Sequence, residues 1–235
     1  LCPVHFWDEL NQQSPKFRRQ FSKYKHFAKS TWETLLSEAD KKDAYIVDVN
    51  YDASVYVENL GEGNFKIHQL PVEAQLAPIN GILATDVNGD SWLDIVLVGN
   101  DFGNEVFSGR YDALTGVTLI NNTQGAFKIA GVSSSGFYVP NDAKALVQVS
   151  RPDGDLIVAS QNRDSLRVFS DNRKNKITLK PERLDVYAIM TFANGKKQKV
   201  EFYYGSGFHS QSTRTLTIPN GVTEIEVYNT KGESR

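Results

Sequence analysis

Two short apolar runs flank an acidic turn in the stretch Ile82-Leu-Ala-Thr-Asp-Val-Asn-Gly-Asp-Ser-Trp-Leu-Asp-Ile-Val-Leu-Val98. The runs, Ile82–Thr85 and Ile95–Val98, are rich in aliphatic and β-branched side chains. Short runs of this kind, bounded by Gly, Asn and Asp, are typical of strands, whereas helices need longer amphipathic stretches. The stretch therefore predicts two β-strands joined by a loop.

The loop between these strands carries the ligand type that calcium prefers. Side-chain oxygens occupy positions 1, 3, 5 and 9 of nine residues, at Asp86, Asn88, Asp90 and Asp94. Hard cations such as Ca²⁺ take six to eight oxygen ligands, and alternate residues of a tight loop direct oxygens inward. We expect the backbone carbonyl of Trp92 and water to complete the shell. The ion would be structural, because clustered carboxylates repel one another unless a cation or solvent neutralises them.

The loop differs from the helical calcium motif, and a plainer interpretation remains. An EF-hand places its glycine at position 6 and a bidentate Glu at position 12, whereas here Gly89 is at position 4 and Leu97 is at position 12. The alternative is a simple turn, in which Asn-Gly-Asp only permits left-handed backbone. The number and spacing of the oxygens favour calcium.

A strand, a polar turn containing Asn and Asp, and a second strand recur three times along the chain, at Ile46–Val57, Ile95–Phe107 and Leu156–Phe169. The first two are followed by Gly-x-Phe, at Gly63–Phe65 and Gly125–Phe127. The repeats start roughly 50 to 60 residues apart, a period typical of β-propeller blades with insertions. The alternative is a β-sandwich whose strands only look alike.

Equivalent turns elsewhere lack the full set of oxygens. The third repeat has Ser150-Arg-Pro-Asp-Gly-Asp155, with Ser at position 1 and no counterpart of Asp94. Before the first repeat, Asp40-Lys-Lys-Asp43 carries two cationic residues where ligands would stand. The sequence therefore predicts one metal site.

The flanks of the repeats differ in texture. Residues 14–44 have helical spacing with three start signals, at Ser14-Pro15, Ser30–Glu33 and Ser37–Asp40, which predicts short consecutive helices. Five runs of the repeat region predict strands: Tyr45–Val49, Ser54–Glu58, Ile82–Thr85, Ile95–Val98 and Val117–Ile120. After a polar stretch at 170–176, four more runs predict a small β module: Val186–Phe192, Gln198–Tyr204, Thr213–Ile218 and Thr223–Tyr228. Between the first two of these runs, Asn194-Gly195 predicts a hairpin turn with positive φ. The expected organisation is a helical segment at 1–44, blades at 45–172 and the module at 173–235.

Composition excludes several classes of protein. The chain has 235 residues, a net charge of −2 and one Cys, Cys2, which excludes an intrachain disulfide framework and a Cys-based zinc finger. The near-neutral charge argues against a nucleic-acid binder, and no apolar run is long enough to span a membrane. Because the chain opens with Leu rather than Met, we expect it to be the C-terminal part of a larger, or a partial, propeller.

The DxNGDxxxD loop, the Gly-x-Phe closes and the repeated strands resemble FG-GAP/VCBS repeats, which form propeller blades. The tail, with Gly205–Arg214, Val222–Val227 and Thr230–Gly232, is similar to the ASPIC/UnbV module that follows such repeats. The resemblance covers 46–235, and it departs from the usual tail at His209, where an aliphatic residue is common. It implies a mainly β, calcium-stabilised propeller, exported to the bacterial cell surface, periplasm or exterior, often in bacteria that handle polysaccharides.

Two classes of function follow. The first is a non-catalytic binding module for a glycan or a protein, in which Trp7, Tyr111 and Tyr138 could stack on sugar faces. The second is a glycan-active hydrolase or lyase built on the same scaffold. Fold alone does not choose between them, and we favour binding.

The sequence offers few catalytic candidates. The carboxylates nearest to a catalytic pair are Asp101, Glu105 and Asp112. The stretch Gly205–Gln211 contains His209 and serines but lacks the strand-to-helix setting of a nucleophile elbow. We expect it to be a tight glycine turn whose Ser and Gln side chains bond the backbone.

Overall fold

A computed structural model describes residues 2–106, 108–123, 125–171, 177–207 and 209–235. The protein is mainly β, with several small antiparallel sheets and a helical N-terminal region. It forms two compact units, Leu1–Asp52 and Ala53–Arg235. Within the described ranges, no helix has the length and apolar character needed to cross a membrane.

The first unit confirms the prediction of short consecutive helices. Its described residues form α1 (Trp7–Gln13), α2 (Lys16–Gln20), α3 (Tyr24–Phe27), α4 (Trp32–Leu35) and α5 (Glu38–Lys41). Leu10, Phe17, Phe21 and Leu35 are buried together in its core. Helices this short are marginal alone, so this apolar cluster stabilises them.

The three predicted helix starts can be compared with the structure. At α2 the N-cap is Pro15, one residue later than predicted. At α5, the Ser37 hydroxyl accepts from the Asp40 amide, and the Asp40 carboxylate accepts from the Ser37 amide at 2.9 Å, as predicted. At α4 the cap lies one residue later than predicted, because the Thr31 amide donates to the Thr34 hydroxyl at 2.8 Å. The Lys16 ammonium also bonds Asp40; this contact and the Ser37 bonds lower the pKa of Asp40 to about 2.

The second unit contains the strands. They are β1 (Val55–Gly61), β2 (Asn64–Gln69), β3 (Ile79–Thr85), β4 (Asp94–Gly99), β5 (Val117–Asn121), β6 (Phe127–Ala130), β7 (Ala143–Val149), β8 (Leu156–Gln161), β9 (Arg167–Ser170), β10 (Ile177–Leu179), β11 (Asp185–Phe192), β12 (Lys197–Glu201), β13 (Leu216–Ile218) and β14 (Val222–Asn229). Short helical turns lie at Val72–Gln75 and Val132–Ser135. All the paired strands are antiparallel, in the orders β1-β2, β3-β4-β5-β6, β7-β8-β9, β10-β13 and β12-β11-β14.

The first three of these sheets stack face to face in chain order. One apolar cluster, with Leu97 and Leu119, packs the β3–β6 sheet against the β1–β2 hairpin, where the rings of Tyr56 and Phe127 meet at 5.5 Å. A second cluster joins the other face of β3–β6 to β7–β9, through residues such as Val96. Because β4 is buried on both faces, it is apolar at consecutive positions instead of alternating.

Two of the three sequence repeats differ from the structure. The run Tyr45–Val49 is not a strand: it pairs with no other described strand, and its side chains are mostly exposed. The first hairpin is β1–β2 instead. In the second repeat, described residues 102–106 form no strand, and β4 pairs with β5 far along the chain. In the third repeat the pattern is confirmed, because β8 pairs with β9.

The C-terminal β module has its own core. Ala188, Met190, Phe202, Leu216 and Val227 are buried together in it. The predicted turn at Asn194-Gly195 joins β11 to β12, and Gly195 has the positive φ (80°) that such a turn requires. Most of the polar stretch at 170–176 lies outside the described residues.

Candidate metal centre

The acidic loop is held at the end of the β3–β4 hairpin. The last ladder pair of the hairpin is Thr85 with Asp94, so loop positions 1 and 9 lie at its two ends. Asp94 is 0% exposed, and each of its carboxylate oxygens accepts one backbone amide at 2.8 Å, from Val87 and from Asn121. Asp94 therefore closes the loop and ties it to the end of β5.

The other predicted ligands organise the loop itself. The Asp86 carboxylate accepts the amides of Gly89 (2.7 Å) and Ser91 (3.1 Å). Asn88 accepts the Asp90 amide at 3.0 Å, and its own amide group donates to the Asp90 carboxylate at 2.9 Å. These bonds fold the oxygen side chains back over the turn.

Trp92, the predicted carbonyl ligand, has two further contacts. Its amide donates to the Asp90 carboxylate at 2.8 Å. Its ring lies under the Lys196 ammonium, 3.9 Å from the centroid, where the cation contacts the electron-rich face of the indole. The loop is thereby linked to the β11–β12 turn of the C-terminal module.

The donor set fits a hard cation, although the side chains are not gathered around one point. All the candidate side-chain ligands are carboxylate or amide oxygens, the ligands that calcium takes. Among the described residues, no group of three His, Cys, Asp or Glu side chains is arranged to hold a metal ion. Asp94 in particular is engaged by two backbone amides.

The third repeat contains a counterpart of Asp94, although the sequence of its turn predicted none. The register pairs Ala84 with Ile95 in one hairpin and Val149 with Leu156 in the other, which places Asp155 where Asp94 stands. Asp155 is also buried, and its carboxylate accepts from the Gln148 side chain. The shorter turn hides this equivalence in the sequence.

A buried amide beyond the opposite end of β4 was also missed. Asn100 is fully buried and has a positive φ of 83°. Its side chain donates to the carbonyls of Leu114 (2.7 Å), Pro140 and Asn141 (both 3.1 Å), and it accepts the Leu114 amide at 3.0 Å. In the third layer, the same register places Gln161 at the position equivalent to Asn100, and the Gln161 side chain accepts the Asn141 amide at 3.1 Å. A polar amide at the C-terminal end of an apolar strand in both repeats is the signal that could have revealed them.

The proposed catalytic carboxylates have different settings. Asp101 accepts the Gly103 amide at 3.0 Å and lies 3.8 Å from the Lys144 ammonium. That ammonium is closer to the buried Asp142, at 2.6 Å. Glu105 and Asp112 are exposed. The structure thus places Asp101 beside a lysine.

The aromatic candidates fall into two groups. Tyr111 and Tyr138 are about half exposed. Trp7 is instead part of the packing of the helical unit: its ring meets Tyr24 edge-on at 4.7 Å, and its indole donates to the Phe17 carbonyl at 3.3 Å. Only the two tyrosines therefore have the exposure that stacking on a ligand needs.

The glycine-rich tail segment is a tight loop, as predicted, with Phe208 outside the described residues. The Gln211 side chain accepts from the Gly205 amide and donates to the Ser212 carbonyl at 2.7 Å. The Ser212 amide donates to the Ser206 hydroxyl at 2.9 Å. These bonds use the serine and glutamine side chains to hold the backbone.

The same segment covers the free edge of β7. The Thr213 amide donates to the Gln148 carbonyl at 2.8 Å, and the Gln148 amide donates to the Ser212 hydroxyl at 3.0 Å. Unpaired sheet edges invite pairing with other chains. The tail loop therefore protects the edge of the third layer.

No family model matches the chain, and the search of curated proteins finds no similar sequence.

Proposed function

We propose that the unit Ala53–Arg235 is a calcium-stabilised, propeller-type binding module of the FG-GAP/VCBS kind with an ASPIC/UnbV-like tail, and that it acts without catalysis. The observation that carries the proposal is the oxygen-rich loop, anchored by Asp94 at one end of a stack of antiparallel sheets. The stack of sheets in chain order supports blades over a sandwich, because a sandwich has only two layers.

Asp86, Asn88 and Asp90 would hold the ion, with the Trp92 carbonyl and water completing the shell and Asp94 as the fourth side chain. The cation would supply charge neutralisation for three carboxylates in one small loop. Hydrogen bonds from backbone amides to Asp94 and Asp86 fix the conformation of the loop that carries these oxygens. Sites of this exposed kind suit the high calcium of the cell exterior, which is consistent with an exported protein.

The ligand of the module would be a glycan or a protein. The half-exposed rings of Tyr111 and Tyr138 support this class of function, since aromatic rings give large contact area at low entropic cost. A glycan array separates the two ligands: binding to saccharides that is lost in Tyr111→Ala and Tyr138→Ala supports the glycan. An array without signal would leave a protein ligand as the proposal.

The calcium site is tested by thermal unfolding. Trp92 is the one tryptophan of the second unit, so a Trp7→Phe/Trp32→Phe background reports that unit alone by fluorescence. We expect the melting temperature to fall in EGTA and to recover in excess CaCl₂, since a ligand at 100 times its Kd stabilises by about 2.7 kcal/mol.

Two variants complete the calcium test. Asp86→Ala should abolish the response to calcium, whereas Asp153→Ala, in the turn of the third layer, should retain it. An equal melting temperature in EGTA and in calcium would remove the proposed site.

A further inference from the structure

A cavity of about 230 Å³ lies between the β3–β6 sheet and the β7–β9 sheet, at the end that carries the acidic loop. Side chains two residues apart on a strand point into the same space. The residues that form the apolar core between these sheets are followed, two positions away on each strand, by Thr85, Gln148, Asp155 and Asp171. The space between the sheets therefore changes from apolar to polar at one level, and the cavity lies there.

The floor of the cavity is apolar and partly aromatic. The rings of Phe137 and Phe169 lie 4.6 Å apart between centroids, and the side chains of Val96 and Ile157 line the cavity with them. All four pack in the apolar core between the two sheets. Ligand pockets combine such apolar and aromatic surface with a few polar groups that orient the ligand. This floor suits a ligand that presents C–H groups.

The wall of the cavity is polar and rich in hydrogen-bond acceptors. Three carboxylates line it, together with five serine and threonine hydroxyls. The Asp155 carboxylate belongs to a residue that is only 2% exposed. Carboxylates accept but do not donate, and the hydroxyls of Ser134 and Ser135 already donate to the Gly131 carbonyl, at 2.8 and 3.1 Å. The wall therefore suits a ligand with several hydrogen-bond donors.

Thr118 has a buried hydroxyl that packing alone does not explain. Thr118 is 2% exposed and is paired with Val96, on the face of β5 that looks toward the β7–β9 sheet. Its side chain lines the cavity, and no group of the described residues forms a hydrogen bond with its hydroxyl. A buried hydroxyl without a partner is destabilising unless water or a ligand supplies one. Thr118 is therefore an unused polar contact inside the cavity.

The size and the mouth of the cavity limit the ligand. Ser134 and Ser170 line the cavity and are exposed, so the mouth lies beside them. The volume of about 230 Å³ corresponds to about eight water molecules at about 30 Å³ each. It is smaller than the pockets that hold drug-sized ligands. A single sugar ring combines this size with several hydroxyl donors and with C–H faces that pack on aromatic rings.

We propose that the cavity binds one neutral sugar unit of a glycan. The sugar hydroxyls bond the Thr118 hydroxyl and the Asp155 carboxylate, and a C–H face of the ring packs on Phe137 and Phe169. The sugar is neutral because the carboxylates of the wall repel a sugar that carries its own carboxylate. This inference rests on the glycan-binding function proposed above and assigns a pocket to it.

Titration calorimetry of the full chain in CaCl₂ tests the proposal, with neutral hexoses and N-acetylhexosamines as probes and the matching hexuronates for comparison. We expect a neutral sugar to bind and its hexuronate to bind more weakly. Thr118→Val keeps the shape of the side chain and removes one hydrogen bond, so it should weaken binding about three- to tenfold without lowering the melting temperature. Thr191→Val is the matched control: it removes an unpartnered buried hydroxyl of the C-terminal module and should leave the affinity unchanged.

A second pair of variants tests the mouth. Ser134→Phe places a ring at the opening and should abolish binding, whereas Ser133→Phe, at an exposed neighbour that does not line the cavity, should bind as the parent does. Circular dichroism shows that each variant is folded. The absence of binding by every neutral sugar would overturn the inference, as would an unchanged affinity in either Thr118→Val or Ser134→Phe.

The glycan array separates a failure of this inference from a failure of the proposed function. Saccharides that bind the parent and both cavity variants equally would remove the cavity site and leave glycan binding intact. An array without signal would remove the glycan from the proposed function as well as the cavity site.

Discussion

The fully buried carboxylate of Asp94 should stabilise the second unit even without metal. Asp94→Asn preserves the size of the side chain but replaces one acceptor oxygen by an NH₂ group. Because both carboxylate oxygens accept backbone amides, one of the amides of Val87 and Asn121 must then face a donor. The variant loses one hydrogen bond and places two donors against each other in a site closed to water.

The expected loss follows from the two bonds. A hydrogen bond to a charged group contributes about 1.5–3 kcal/mol. The variant loses one of these bonds, but it also no longer carries the free-energy cost of burying a charged carboxylate. We therefore expect the free energy of unfolding to fall by about 2 kcal/mol. For a unit of this size, each kcal/mol lowers the melting temperature by about 2–4 °C. We therefore expect Asp94→Asn to melt about 4–8 °C below the parent.

The assay is thermal unfolding in EGTA, followed by Trp92 fluorescence in the Trp7→Phe/Trp32→Phe background. EGTA removes any contribution from calcium binding, so the measurement reports the hydrogen bonds alone. Asp153→Asn is the control: its carboxylate is exposed, with Arg151 at 3.5 Å as its ion-pair partner, and should cost less than about 0.5 kcal/mol. A loss below about 0.5 kcal/mol in Asp94→Asn would refute the anchoring role of the carboxylate.

Three further predictions concern packing, the buried amide and pH. Gly81→Ala should destabilise the second unit by about 1–3 kcal/mol in urea unfolding, since its Cβ would lie 2.7–2.9 Å from side chains of β4 and β7. Gly131→Ala should not, because its Cβ would meet only the Ser133 hydroxyl oxygen, at an ordinary contact distance of 3.9 Å. Asn100→Asp should lower the melting temperature strongly, because a carboxylate would face three carbonyl oxygens, whereas the exposed Asn59→Asp keeps its acceptor for the Gly61 amide and should be neutral. Because the pKa of Asp40 is lowered, its ionised carboxylate stabilises the helical unit above about pH 4, and this stabilisation should be lost as the pH falls through the folded pKa of about 2. In an acid titration followed by helical circular dichroism, Asp40→Asn should lack this transition. A transition identical to that of the parent would contradict the assignment.

Sequence patterns predicted those elements whose signals are local. The caps and spacing in residues 14–44 predicted short helices because capping depends on residues within one turn. The turn at Asn194-Gly195 was predicted because positive φ is a property of single residues. The hairpin around the acidic loop was predicted because two short apolar runs flank a polar turn.

Errors arose where pairing is non-local. The run Tyr45–Val49 has the composition of a strand, but it has no partner strand among the described residues, and a strand requires one. The predicted second strand of the second repeat was wrong for the same reason, because β4 pairs with β5 across an insertion. Composition indicates that a segment can be a strand, and only the neighbouring chain decides whether it is one.

The sequence by itself therefore determined the mainly β character, the acidic hairpin loop and the set of oxygens within it, because strand alternation and turn chemistry are encoded over a few residues. The tertiary structure alone decided the roles of those oxygens. The sequence predicts Asp94 as one ligand among several, and only the tertiary structure shows that β5 brings the Asn121 amide to it, which also makes Asp94 an anchor of the loop. Asp155 looks unrelated, yet the register places it at the same position. Both results depend on which strands lie side by side, and that choice is set by burying apolar faces between sheets far apart in the chain.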